Sequence, residues 1–207
     1  MPLENASFGA KRGTCVGILG KNGSGKSTLL SILAGVQKCD EGEFFWQGAD
    51  LLKNSRLLSE CVGYVPQGTP LFNELSAWDN LRLWYTREEI KKELEGGVLE
   101  LLGIGEFLKT PVYKMSGGMK KRLSIGCAVS RKPPILLLDE PSAALDLICK
   151  EHINSYLKTC KENGNIIILT THDEGELELC DAWYILKDGC LEPFVYDGNI
   201  GRLVGQL

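Results

Sequence analysis

The chain has 207 residues, of which 43% are apolar and 24% charged, with a formal net charge of −4. That length suffices for one substantial core with room for a small inserted subdomain, and the mildly acidic balance argues against a general nucleic-acid binder. No apolar run reaches the about 18 residues that a membrane-spanning helix needs.

The opening stretch MPLENASFGAKRG holds no apolar segment of the signal-peptide kind. Residues 14–19, TCVGIL, then read as a short buried strand bounded by glycines. KSTLLSILAG follows as a helix, with Gly35 at its C-terminal end. GEFFWQG reads as a short strand and turn, and CVGYVPQ as a strand that stops at Pro66. From Ser76 to Gly103 the pattern of Trp78, Leu81, Leu83 and Trp84, followed by Ile90, Leu94, Val98, Leu101 and Leu102, becomes helical, and MSGGMKKRLSIGCAVS reads as another helix. PPILLLDEP is a fully apolar strand, and Leu145, Cys149, Ile153, Leu157 and Cys160 recur at helical spacing after it. NIIILTTH is another buried strand, and WYILKDGCLEPF reads as a hairpin turning at Asp188-Gly189. Strands alternating with helices predict an α/β sheet, interrupted by a helical block. The eight cysteines lie at least ten residues apart, without the close pairing of a zinc site, and several sit in apolar runs. They read as reduced thiols used as small core residues in a reducing cytoplasm.

Residues 20–28, GKNGSGKST, fit G-x-x-x-x-G-K-[ST] between a strand and a helix. Phosphate binding needs backbone N–H groups at close approach, which the glycines permit, and the following helix adds its positive end. Lys26 is positioned to reach the outer phosphates of a nucleoside triphosphate, and Ser27 to offer its hydroxyl to Mg2+. Such a site needs a carboxylate at the end of an apolar strand, and Asp139 supplies one. The adjacent Glu140 is placed to polarise an attacking water. Gln67 leaves its strand as a neutral side chain that could touch the metal or the water, and His172 ends its own strand in the same way as Asp139. Ligands of open α/β sheets gather at such carboxyl ends. His152, in mid-helix, reads as structural. Ser116, Gly117 and Gly118 open a helix and make a second anion-binding terminus. If the two loops lie apart in one monomer, a head-to-tail dimer lets each close on the other's nucleotide.

Taken in order, GKNGSGKST, YVPQ, MSGGM, ILLLDEP, SAALD and TTH resemble the ATP-binding cassette (ABC) family, in particular the ATPase subunit of an ABC transporter. The likeness covers essentially the whole chain. It implies a P-loop NTPase core over residues 1–72 and 131–207, with a helical insertion over 73–130 that docks on a permease. It implies ATP and Mg2+ as ligands. Gly20, Lys21, Asn22, Gly23, Ser24, Gly25, Lys26, Ser27 and Thr28 then form the phosphate loop; Ser27, Gln67 and Asp139 address the metal. Glu140 becomes the catalytic base, His172 the γ-phosphate sensor, and Ser116, Gly117 and Gly118 the signature that meets ATP across a dimer, with Asp146 in the dimer-contact loop. The partners implied are a second copy or related cassette and integral-membrane permease subunits, with the chain held peripherally at the inner face of the membrane. An exporter-type permease is expected; the alternative is a soluble, non-transport ABC ATPase. Two departures stand out. Met115 and Met119 replace the usual outer residues of the signature, which predicts weaker tuning of that site. The family's adenine-stacking aromatic lies roughly thirty residues before the phosphate-loop lysine, whereas here only 25 residues precede Lys26. The N-terminal strand is therefore expected to be short or missing, and loss of the stacking to cost about 1–3 kcal/mol of nucleotide affinity.

Overall fold

In a computed structural model, residues 3–4 and 6–206 are described. The central sheet is built from the apolar runs. β1 (Cys15–Leu19), β4 (Val62–Val65), β5 (Ile135–Asp139), β6 (Ile166–Thr170), β7 (Ala182–Lys187) and β8 (Cys190–Phe194) are ordered β4-β5-β6-β1-β7-β8. The first five are parallel, and β8 returns antiparallel through the Asp188-Gly189 turn, where both residues have positive φ. β2 (Phe45–Trp46) and β3 (Ala49–Asp50) form a separate small hairpin.

Parallel strands covered on both faces have no solvent side, so they read as unbroken apolar runs. β1, β5 and β6 show this in full: every residue of all three is buried. Their side chains alternate between two layers. Leu136, Leu138, Ile167 and Leu169 pack with the helical insertion; Ile135, Leu137, Ile166 and Ile168 join Val16 and Ile18 against Leu29, Leu30 and Leu33 of α1 (Lys26–Leu33).

The insertion is carried by α3 (Ala77–Leu81), α4 (Arg87–Leu94), α5 (Val98–Leu101) and α6 (Gly117–Ala128). Short helices need their free N–H groups satisfied at the ends. Ser76 with Asp79, and Thr86 with Glu89, form capping boxes at the starts of α3 and α4. The helices are then joined by buried polar ties. Tyr85 donates its hydroxyl to Gly126 O at 2.7 Å, and Arg122 donates to Leu102 O at 3.0 Å. Ile90, Leu99, Leu102 and Ile104 are fully buried and run continuously into the sheet layer, so the insertion shares one core with the sheet.

α7 (Leu147–Glu162) links β5 to β6 and lays Cys149, Ile153, Leu157 and Cys160 inward, as the spacing predicted. His152 sits on it with Nδ1 2.9 Å from Leu101 O, the partner that sequence could not name. α2 (Ser55–Cys61), α8 (Glu174–Leu179) and α9 (Ile200–Gln206) complete the fold and were not anticipated. All eight cysteines are free thiols and six are buried, which matches their reading as core residues. Phe8 packs on Tyr184 with ring centroids 5.7 Å apart. Among the described residues no helix is long and apolar enough to cross a membrane.

Candidate nucleotide site

β4, β5, β6 and β1 are consecutive neighbours in the sheet, and each ends beside a predicted site residue. Gly20 follows β1, Gln67 follows β4, Asp139 ends β5, and His172 lies two residues past β6. Asp139 stands in register with Thr170, and Thr170 with Ile18, so the three strand ends are level. Parallel pairing alone therefore brings together residues more than a hundred positions apart.

The phosphate loop curls tightly before α1. Gly20, Gly23 and Gly25 all have φ between +80° and +155°, the region that penalises a side chain. A Cβ on Gly20 would also meet Leu186 O at 2.6 Å and Ser24 Oγ at 2.7 Å. Lys26 is buried and donates from Nζ to Gly20 O (2.6 Å) and Lys21 O (3.1 Å). Burial lowers its pKa, opposed by the charges of Glu140 and Asp139. A cavity of about 430 Å3 opens over the loop, lined by Asn22, Gly23, Gly25, Lys26, Ser27 and Thr28 together with Gln67 and Glu140.

The carboxylates are held by their neighbours. Asp139 is 3% exposed, and its Oδ1 accepts from Thr170 Oγ1 at 2.6 Å. Glu140 adopts φ +47°, uncommon for a non-glycine residue and costing about 1–3 kcal/mol unless neighbours enforce it. Its N–H is fixed by Thr170 Oγ1 (3.0 Å) and Thr170 O (3.1 Å). Its carboxylate accepts from Gln67 Nε2 at 3.0 Å and lies 3.9 Å from His172 Nε2. Burial and the Lys26 charge lower the pKa of His172, against the pull of Glu140. The imidazole is thereby favoured in its neutral form. Thr170, in sequence an ordinary strand residue, serves both carboxylate residues at once. Its only sequence signal is a polar residue ending an otherwise aliphatic strand.

The signature lies elsewhere. Ser116 caps α6, its Oγ accepting from Met119 N at 3.2 Å, and Ser116 and Gly117 are exposed. None of Ser116, Gly117 and Gly118 lines the phosphate cavity, so the two loops are apart in one chain. Gly118 is instead wedged against Cys149, where an added Cβ would overlap Sγ and come within 2.9 Å of Cβ. The two unusual methionines pack inward: Met115 is buried and Met119 rests against the same core. Asp146 caps α7 by accepting from Cys149 N at 2.8 Å, and this lowers its pKa. The capped end is followed by Leu147 and Ile148, which are 83% and 72% exposed.

A family model for ABC transporters matches residues 3–143. The chain belongs to that family. It is 36% identical over 193 residues to the linearmycin resistance ATP-binding protein LnrL of Bacillus subtilis, and 32% identical over 231 residues to the sulfate/thiosulfate import ATP-binding protein CysA of Acinetobacter baylyi. These alignments cover 90% and 99% of this chain, but the chain spans only 62% and 65% of those relatives' lengths. Among solved structures, the ATP-binding cassette MJ0796, a dimer bound to ADP and Pi in a post-hydrolysis state, superposes with a TM-score of 0.79 at 31% identity. That match covers 92% of this chain and 88% of the other. The parallel sheet with its helical insertion is thus the ABC ATPase fold.

Proposed function

We propose that the protein is the ATP-binding and hydrolysing subunit of an ABC transporter, closing as a head-to-tail dimer around two Mg-ATP to drive a separate membrane permease. One observation carries this reading: a glycine loop, two carboxylates, a glutamine and a histidine gather at the carboxyl ends of neighbouring strands, while an exposed serine-glycine helix start lies outside the cavity over the loop. The residues 20–28 bind the phosphates. Ser27, Gln67 and Asp139 would hold Mg2+, and a hydroxyl, an amide and a buried carboxylate make a fitting set of hard oxygen donors. When bound, the metal neutralises charge on the outer phosphates. Glu140 accepts a proton from water as the base, with Gln67 fixing its carboxylate and His172, 3.9 Å away, sensing the γ-phosphate. Lys26 swings from its own loop carbonyls to the phosphates.

The partner copy completes the site by bringing its Ser116, Gly117 and Gly118 to the nucleotide and its Asp146 to the contact loop. The exposed Leu147 and Ile148 beside Asp146 give that contact an apolar patch to bury. The exposed Phe72, Leu83, Trp84 and Tyr113 around the insertion suit a permease surface, and would hold the chain at the inner face of the membrane. The relatives include an import protein, the resistance protein LnrL and a Nod factor export protein. An exporter-type permease is the reading put forward, on the likeness of ELSAWDNL at 74–81 to small cassettes of exporter systems.

The test is size-exclusion chromatography of the Glu140→Gln variant with and without millimolar Mg-ATP. A shift from monomer to dimer with nucleotide is expected, together with loss of hydrolysis. A variant that binds ATP and hydrolyses it at the parent rate would remove Glu140 from its role and overturn the mechanism.

A further inference from the structure

Lys121 is 5% exposed, although lysines are seldom buried unless paired. It lies on α6, five residues past Ser116, and among the described residues no carboxylate stands within ion-pairing distance of it. Its ammonium instead donates to two backbone carbonyls of the turn after β4, Pro66 O at 2.9 Å and Gln67 O at 3.0 Å. Among the described residues, neither carbonyl accepts any other hydrogen bond. The turn they belong to has no ladder to hold it, since β4 ends at Val65. Burial lowers the pKa of Lys121, while Asp139, Glu176 and Glu140 at longer range pull the other way.

An apolar side chain could fill this space without the desolvation cost of an ammonium. What a multiple donor adds there, and an apolar side chain cannot, is to hold two carbonyls in fixed positions. The same turn carries the Gln67 side chain, which donates to Glu140 at 3.0 Å. A continuous path therefore runs from the signature helix through Lys121 and the Gln67 backbone to the carboxylate over the phosphate loop. In the proposed dimer the two ends of that path face different nucleotides, the partner's at Ser116 and the chain's own at Glu140.

We propose that Lys121 is a positioning residue that ties the signature helix to the glutamine turn, so that the placement of Gln67 against Glu140 follows the placement of the signature. The role in hydrolysis rests on the ATPase reading above; the tie itself does not.

Hydrogen exchange of the nucleotide-free chain tests the tie directly. Lys121→Met, which keeps the length and loses the donors, should speed amide exchange at Leu71, whose N–H is held by Thr69 O at 2.8 Å in the same turn, about tenfold while leaving β6 unchanged. Lys121→Arg, which retains two donors, should restore protection. Unchanged exchange in the turn, an equal rise through the whole chain, or a failure of arginine to rescue would overturn the proposal. A kinetic cycle then separates positioning from mere packing. Lys121→Met should lower kcat about tenfold with Gln67 present and have little further effect on a Gln67→Ala background. An equal loss in both backgrounds would also overturn it. If the unaltered chain shows no ATPase activity, that result strikes the proposed function, and the exchange experiment still decides the tie.

Discussion

Thr170→Val removes one hydroxyl from the centre of the site and leaves the side-chain shape unchanged. Thr170 is fully buried; its Oγ1 donates to Asp139 Oδ1 at 2.6 Å and accepts from Glu140 N at 3.0 Å. The Glu140 N–H keeps a second acceptor in Thr170 O at 3.1 Å, so the loss falls mainly on Asp139. A hydrogen bond to a charged group contributes about 1.5–3 kcal/mol. The added methyl returns about 0.8 kcal/mol through apolar burial. The net cost is about 1–2 kcal/mol, which for a domain of this size lowers Tm by roughly 2–8 °C. Thermal and urea unfolding of the nucleotide-free chain measure it. In an Asp139→Asn background the acceptor is neutral, and the same substitution should cost about 1 kcal/mol or less. If Thr170→Val were as stable as the parent, or lost the same amount in both backgrounds, the reasoning about this hydroxyl would be refuted.

Three further outcomes are expected. Gly118→Ala should destabilise by about 1–3 kcal/mol despite alanine's better helix propensity, because its Cβ overlaps Cys149 Sγ; adding Cys149→Gly should recover most of the loss in urea unfolding. Glu176 is 1% exposed, and burial raises its carboxyl above the ordinary 4.5, so the folded chain retains a proton that the unfolded chain releases. Stability is therefore lost as pH rises from the ordinary value through the raised one, and Glu176→Gln should gain on the parent in thermal melts as pH rises above 4.5. His172 is shifted the opposite way to an ion-paired histidine. Its imidazole should titrate below 6.5 by NMR in the nucleotide-free chain, and the unfolded chain takes up that proton first as pH falls, so this residue weakens the fold below that pH. A midpoint above 6.5 would contradict the dominance of burial and Lys26 over Glu140.

The site was legible where its chemistry is local. A glycine loop between strand and helix needs only contiguous residues, so Gly20 to Thr28 announce themselves, and so does a carboxylate pair closing the aliphatic run ILLLDE. The SGG start of α6 is equally local, because a serine cap and two glycines are a helix-start pattern within three positions. The unbroken apolar runs likewise mark β1, β5 and β6 as buried strands, since a parallel strand covered on both faces shows Ile, Leu and Val throughout. Helices such as α2 and α8 were missed because their short polar segments carry too few apolar positions to establish a period, and their ends are set by Asn54 and Asp173 caps seen only in three dimensions. Thr170 and Lys121 were invisible for a different reason. A threonine ending a strand and a lysine in KKR are common sequence, and their meaning depends on partners 31 and 54 or more residues away. The sequence by itself determined which strands are buried, where a loop could cradle phosphates and which residues could carry acid–base chemistry, because those follow from backbone conformation and short-range pattern. Only the tertiary structure decided that the Gln67 amide meets Glu140, that Thr170 bridges two carboxylate residues, that Phe8 packs on Tyr184, and that the signature stands outside the cavity. Those are matters of strand order and register, and long-range pairing in a parallel sheet leaves no mark within any one stretch of chain.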